Sequence, residues 1–371
     1  MKTRGKWLTV ALAAATTMTV FAQQQPADPA RTPGVQAGND PNRNAFIMAN
    51  CKAPAAPPAA NPARGGGPGR AGGAPPAPQP ANYTVAAIPG VIEGGTRWRL
   101  LWEDTGNNAD SPIGVEDGVL VAQNDKSQIL KVGLNGQVQL LATDTYTGGA
   151  LAMTTDNRLF VGERALNRGI WQVQPQRRLF TNTKDGEPLE CLGTGVLNDM
   201  VADTRGGMYF TMGGVYYANP QGVVSGRFGT VGGNGLILSR DGRNLYVTGR
   251  LANATPPANL SVPAGAPEPT GGLVAFDVQA DGSLTNERQF AWVGGDGTAI
   301  DNDGRIYTTG NGGVWVVNPD GGIAGFISSP RPLISVAFGG PGKRTLFGVA
   351  IRDVQIFAID MVAQGFTGRA K

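Results

Sequence analysis

The chain has 371 residues, with 31 Lys and Arg against 28 Asp and Glu, two Cys and no His. Without imidazole there is no Ser-His-Asp or Cys-His nucleophile system, no His-ligated zinc or haem and no His general base, so any chemistry must run on carboxylates, amides, Lys, Arg, hydroxyls or a bound ion. Setting aside Lys2, Arg4 and Lys6, which lie in a removable start, leaves 28 charges of each sign; that balance gives no reason to expect nucleic acid or an anionic membrane as partner.

The basic start is followed by an apolar or small stretch from Trp7 to Phe21, closing on Val20-Phe21-Ala22. This pattern predicts a signal peptide over residues 1–22 and an exported protein, periplasmic or extracellular. The run contains four threonines and is too short for a bilayer span, and no later stretch reaches that length. Residues 23–90 turn to Ala, Pro and Gly, with pieces such as Arg64-Gly-Gly-Gly-Pro-Gly-Arg70. Such composition cannot bury enough apolar area to offset its ordering entropy, so a disordered leader is expected, with room for a short ordered patch around residues 45–49. Cys51 lies in this leader and Cys191 far away in the body. An oxidising compartment permits a disulfide, but two cysteines impose no framework, and unlinked thiols are an equal alternative.

From residue 91 one pattern recurs. Asn198-Asp-Met-Val-Ala-Asp-Thr-Arg-Gly-Gly-Met-Tyr-Phe-Thr211 matches Asn234-Gly-Leu-Ile-Leu-Ser-Arg-Asp-Gly-Arg-Asn-Leu-Tyr-Val-Thr248 and Asp296-Gly-Thr-Ala-Ile-Asp-Asn-Asp-Gly-Arg-Ile-Tyr-Thr-Thr309. Looser copies start at Asp110, Gly149 and Ser335, so that the six starts lie 39, 49, 36, 62 and 39 residues apart. Each copy alternates apolar residues, turns at Gly or Asn and resumes with β-branched and aromatic residues, which is a hairpin; a second hairpin follows most copies, as in Gly313-Val-Trp-Val-Val-Asn-Pro-Asp-Gly-Gly-Ile323. The expectation is an all-β fold over residues 91–366: a six-bladed β-propeller with four-stranded antiparallel blades. The strand-like Thr96-Arg-Trp-Arg-Leu-Leu-Trp102 is expected to complete the last blade and close the ring. Residues 182–195 and 251–270 read as long surface loops.

Innermost strands of a propeller begin around a shared channel, which places Asp110, Gly149, Asn198, Asn234, Asp296 and Ser335 at one mouth. Converging Asp and Asn oxygens without His or Cys suit a hard cation, best calcium. Asn and Asp before Gly are also common turn residues, and the two readings stand about level on the pattern alone. Tyr216, Tyr217, Trp171 and Trp315 read as blade packing. Glu163, Arg250 and Arg352 follow inner strands and read as solvated surface.

At these copy starts, together with Ser335-Val-Ala-Phe-Gly-Gly-Pro341, the sequence resembles the gluconolactonase, senescence marker protein and luciferin-regenerating-enzyme family of six-bladed propellers. The resemblance implies a divalent ion in the channel held by Asp110, Asn234 and Asp296, with Asn198 facing ion or substrate. Family members often carry an Arg two residues before that asparagine, where this chain has Val196, which shifts expectation from a polyol lactone to a less polar lactone or ester. The expected protein is a monomeric calcium-dependent hydrolase of a small lactone or ester, with Asp296 positioning or deprotonating water. The rival is a binding or structural propeller whose calcium ties the blades together.

Overall fold

A computed structural model describes residues 34–52, 84–106, 111–193, 195–310, 312–350, 354–369 and 371. The expected signal peptide, Asp110 and Arg352 lie outside the described residues. Alternating apolar residues broken by tight turns fold into six sheets of four antiparallel strands. Blade 1 comprises Ile113–Val115, Gly118–Gln123, Gln128–Gly133 and Val138–Ala142; blade 2 comprises Ala150–Met153, Leu159–Glu163, Gly169–Gln174 and Arg178–Thr181. Blade 3 runs Met200–Ala202, Met208–Thr211, Val215–Ala218 and Val224–Phe228; blade 4 runs Leu236–Leu238, Asn244–Thr248, Leu273–Val278 and Leu284–Ala291. Blade 5 is Thr298–Ile300, Ile306–Gly310, Gly313–Val317 and Ile323–Ser328. Blade 6 joins Leu333–Gly339, Thr345–Ala350 and Val354–Asp360 to Arg99–Asp104, which pairs antiparallel with Val354–Asp360. The early strand therefore closes the ring, as the sequence pattern anticipates.

Among the described residues the core lies in the seams and not at the centre. Six apolar clusters fill the seams between neighbouring blades, each drawing on two of them, for example Ile113, Leu120 and Ile129 against Leu151, Leu159 and Val161. Trp315, Tyr216 and Tyr217 are buried in these seams, and Tyr217 packs on Tyr209 at 4.5 Å between ring centroids. The aromatic residues therefore serve packing, each fully buried side chain contributing roughly 1.5–3 kcal/mol.

Two stretches of the expected leader are ordered. Val85 and Ile88 are buried in the seam between blades 5 and 6. Farther back, α1 (Arg43–Asn50) is fixed to the propeller by the Cys51–Cys191 disulfide and by Arg43 Nε on Glu190 at 3.2 Å. Glu190 is itself buried and paired with the buried Arg168. The ordered patch expected around residues 45–49 is thus present but longer, and the expectation of a disordered leader is corrected over the rest of 34–52 and over 84–90: the crosslink and a shared buried carboxylate hold the first stretch and burial in a seam holds the second. Residues 182–195, the segment so clasped, carry a short ribbon (Thr183–Lys184 with Glu187–Pro188) and the turn Leu189–Leu192.

Candidate functional site

In blades 3, 4 and 5 the entry to the innermost strand is held by a threonine at the end of the strand beside it. In blade 3, Asn198 N donates to Thr211 O at 2.9 Å and Asp199 N to Thr211 Oγ1 at 3.2 Å. In blade 4, Gly235 N donates to Thr248 Oγ1 at 2.8 Å; in blade 5, Asp296 N donates to Thr309 Oγ1 at 3.2 Å. Two of these hydroxyls then reach the next blade, Thr211 Oγ1 donating to Asn234 O at 2.5 Å and Thr309 Oγ1 to Ile334 O at 3.2 Å. All three threonines are buried. They are the common last residue of the three close copies, a signal at the copy ends that the oxygens at the starts do not carry.

This frame brings Asn198, Asn234 and Asp296 to one mouth, all half-buried. Asn198 Nδ2 donates to Asn234 Oδ1 across the seam between blades 3 and 4. Gly235 packs so tightly on the backbone of Asp296 that a Cβ there would stand 2.0 Å from Asp296 O. Gly297, next to Asp296, is equally confined, since its Cβ would lie 1.8 Å from Ser335 Oγ. Each Asn-Gly or Asp-Gly pair therefore combines a polar side chain with the close blade approach that only glycine permits.

Two charged residues not expected in the site border it. Arg164 is 6% exposed and extends from the end of blade 2 to blade 3, where Nε donates to Leu197 O and Nη2 to Asn198 O, both at 2.8 Å. Asp199, fully buried, accepts Leu236 N at 2.8 Å and Lys371 Nζ at 2.6 Å. Glu163 is also fully buried and forms an ion pair with Arg177, whose guanidinium lies 4.7 Å from the Trp171 ring centre. Its reading as solvated surface is thus overturned, because Arg177 folds back over the blade to meet it, while Arg250 is exposed.

The donor chemistry at the mouth fits a hard divalent cation. Asn234 Oδ1 and the Asp296 carboxylate are oxygens, and the buried hydroxyls of Thr298 and Ser335 beside them make no hydrogen bond among the described residues. Among those residues no three His, Cys, Asp or Glu side chains gather, and the oxygens they offer a cation here are the Asp296 carboxylate with amide and hydroxyl oxygens around it.

A sequence model for the SMP-30/Gluconolactonase/LRE-like region matches residues 119–352. Lactonase drp35 of Staphylococcus aureus is 30% identical over 202 residues, 49% of this chain and 56% of that protein; the chain thus spans about half the length of the curated relatives it matches. Among solved structures, a gluconolactonase from Xanthomonas campestris superposes with a TM-score of 0.60 at 20% identity, covering 76% of this chain and 99% of that one. The calcium-binding protein regucalcin from Agrobacterium tumefaciens gives 0.56 at 17% identity, covering 74% and 96%. At these identities the structural likeness establishes the propeller fold.

Proposed function

Because the chain belongs to the SMP-30/Gluconolactonase/LRE-like family, we propose that it is an exported hydrolase of a small lactone or related ester, acting as a monomer with a divalent cation, best calcium, in the channel mouth. The observation that carries this reading is the convergence of Asn198, Asn234 and Asp296 on one mouth, with Asn198 and Asn234 in direct contact. Asn234 and Asp296 would hold the cation, together with Asp110. When bound, such an ion supplies Lewis-acid polarisation of an ester carbonyl. Asn198 offers amide hydrogens to a substrate oxygen, and the Asp296 carboxylate orients water and takes its proton, the base function that no imidazole can perform here. Val196 stands where family members often carry Arg, which favours a lactone less polar than a sugar lactone. Export rests on the pattern of residues 1–22 and is supported by the Cys51–Cys191 disulfide, a bond that persists in oxidising compartments.

The test is proton release from sugar, aliphatic and aromatic lactones, with calcium and after exhaustive chelation. Turnover that vanishes on chelation and returns with calcium is expected. No turnover on any lactone, with a melting temperature that still depends on calcium, would instead establish the binding or structural propeller.

A further inference from the structure

Around the mouth, blade 2 departs from its neighbours. Its copy begins with Gly149, and a Cβ on that residue would stand 2.1 Å from Arg164 Cζ. The room a donor side chain would take is filled by a buried guanidinium. That group is anchored at both ends of the residue: the Arg164 carbonyl accepts Ala37 N, from the disulfide-held segment, at 2.8 Å, and the guanidinium grips the backbone carbonyls of Leu197 and Asn198. Its Nη2 also donates to Asn198 Oδ1 at 3.3 Å.

An asparagine amide has one oxygen and one NH2 group on opposite sides, so fixing the oxygen fixes the nitrogen. With Oδ1 turned to Arg164, Nδ2 points at Asn234 Oδ1. We infer that Arg164 is the positioning residue of the site: it locks the Asn198 amide as a hydrogen-bond donor facing the mouth, which makes Asn198 a binder of substrate oxygen and removes it from the cation's ligands. The planar fork of Arg suits this grip on adjacent carbonyls, and the single ammonium of Lys does not reproduce it. The assignment of Asn198 to substrate rests on the hydrolase reading above; the amide lock does not.

The experiment follows the Asn198 side-chain amide by 15N NMR, its signal identified by loss in Asn198→Ala, and compares wild type with Arg164→Met and Arg164→Lys, each checked for a cooperative melt. In wild type the amide protons should exchange slowly, and in both variants at least tenfold faster; unchanged exchange in a folded variant overturns the lock. If Arg164→Met does not fold, Arg164→Lys decides. Calcium titration then tests the ligand assignment: Asn198→Ala should keep affinity within about threefold of wild type, and a tenfold loss overturns it. Where a lactone is turned over, Arg164→Met and Asn198→Ala should each raise KM, and the double variant should be no worse than the single ones, whereas additive losses refute action through Asn198. Absence of turnover removes the hydrolase reading while the exchange result still decides the lock.

Discussion

Where the innermost strands begin, Ser111, Thr298 and Ser335 bury hydroxyls that make no hydrogen bond among the described residues. Where the strands end, two buried aspartates are fully used. Asp203 accepts Arg205 N, Gly207 N, Arg205 Nε and Tyr217 OH, each at 2.8 Å. Asp301 in blade 5 repeats the arrangement with Asp303 N, Arg305 N, Arg305 Nε and Tyr307 OH. The tail crosses this second end, with Arg369 Nη2 donating to Asn157 at 3.1 Å, and Lys371 reaches from it to Asp199. A buried polar atom left unsatisfied costs free energy, and such atoms concentrate where a ligand can satisfy them. The strand starts thus keep buried hydroxyls that a ligand would satisfy, whereas Asp203 and Asp301 tie the turns at the other end to their blades.

That contrast is open to test. The largest effect is expected at the tail: Lys371→Met leaves Asp199 charged and buried, which should lower stability by about 3–5 kcal/mol in urea denaturation. Adding Asp199→Asn should recover most of the loss. Replacing Cys51 and Cys191 together by Ser should cost about 2–4 kcal/mol, because the crosslink closes a long loop in the unfolded chain. It should also speed hydrogen exchange at the Ala37 amide, which donates to the Arg164 carbonyl from the clasped segment. At the mouth, Asp296→Asn should cut lactone turnover about 100-fold or more with little change in melting temperature. A large loss of stability there, or unchanged turnover, would break the contrast.

The smallest effect is a pH dependence. Burial, with repulsion from Arg369, pushes the Lys343 ammonium down from 10.5 to about 8, while Nζ donates to Phe366 O at 2.6 Å. Between pH 8 and about 10 the unfolded chain then holds a proton that the folded chain has released, so stability should rise with pH. Above that range the buried Tyr209, Tyr217 and Tyr307, whose phenols are pushed well above 10 by burial, oppose the trend. Lys343→Met should flatten the rise seen in urea melts between pH 8 and 10.

The sequence by itself determined the blades, their count and the closure by the early strand, and it put Asn198 and Asn234 at equal positions of neighbouring copies, where they touch. Strand alternation, turn residues and repeat spacing are local properties, and a ring of like blades converts equal position in the copy into shared position in space. Tertiary structure alone decided the rest. Arg164 stands where Arg250 stands two blades on, and Lys371 and Cys51 lie outside the repeat, yet each reaches a partner that the pattern does not name: Asn198 in the next blade, Asp199 from the tail, Cys191 across 140 residues. Long side chains and crosslinks act over distances that no local period encodes. The same reason separates the buried Glu163 from its expected place at the surface, since only the folded blade brings Arg177 back to meet it.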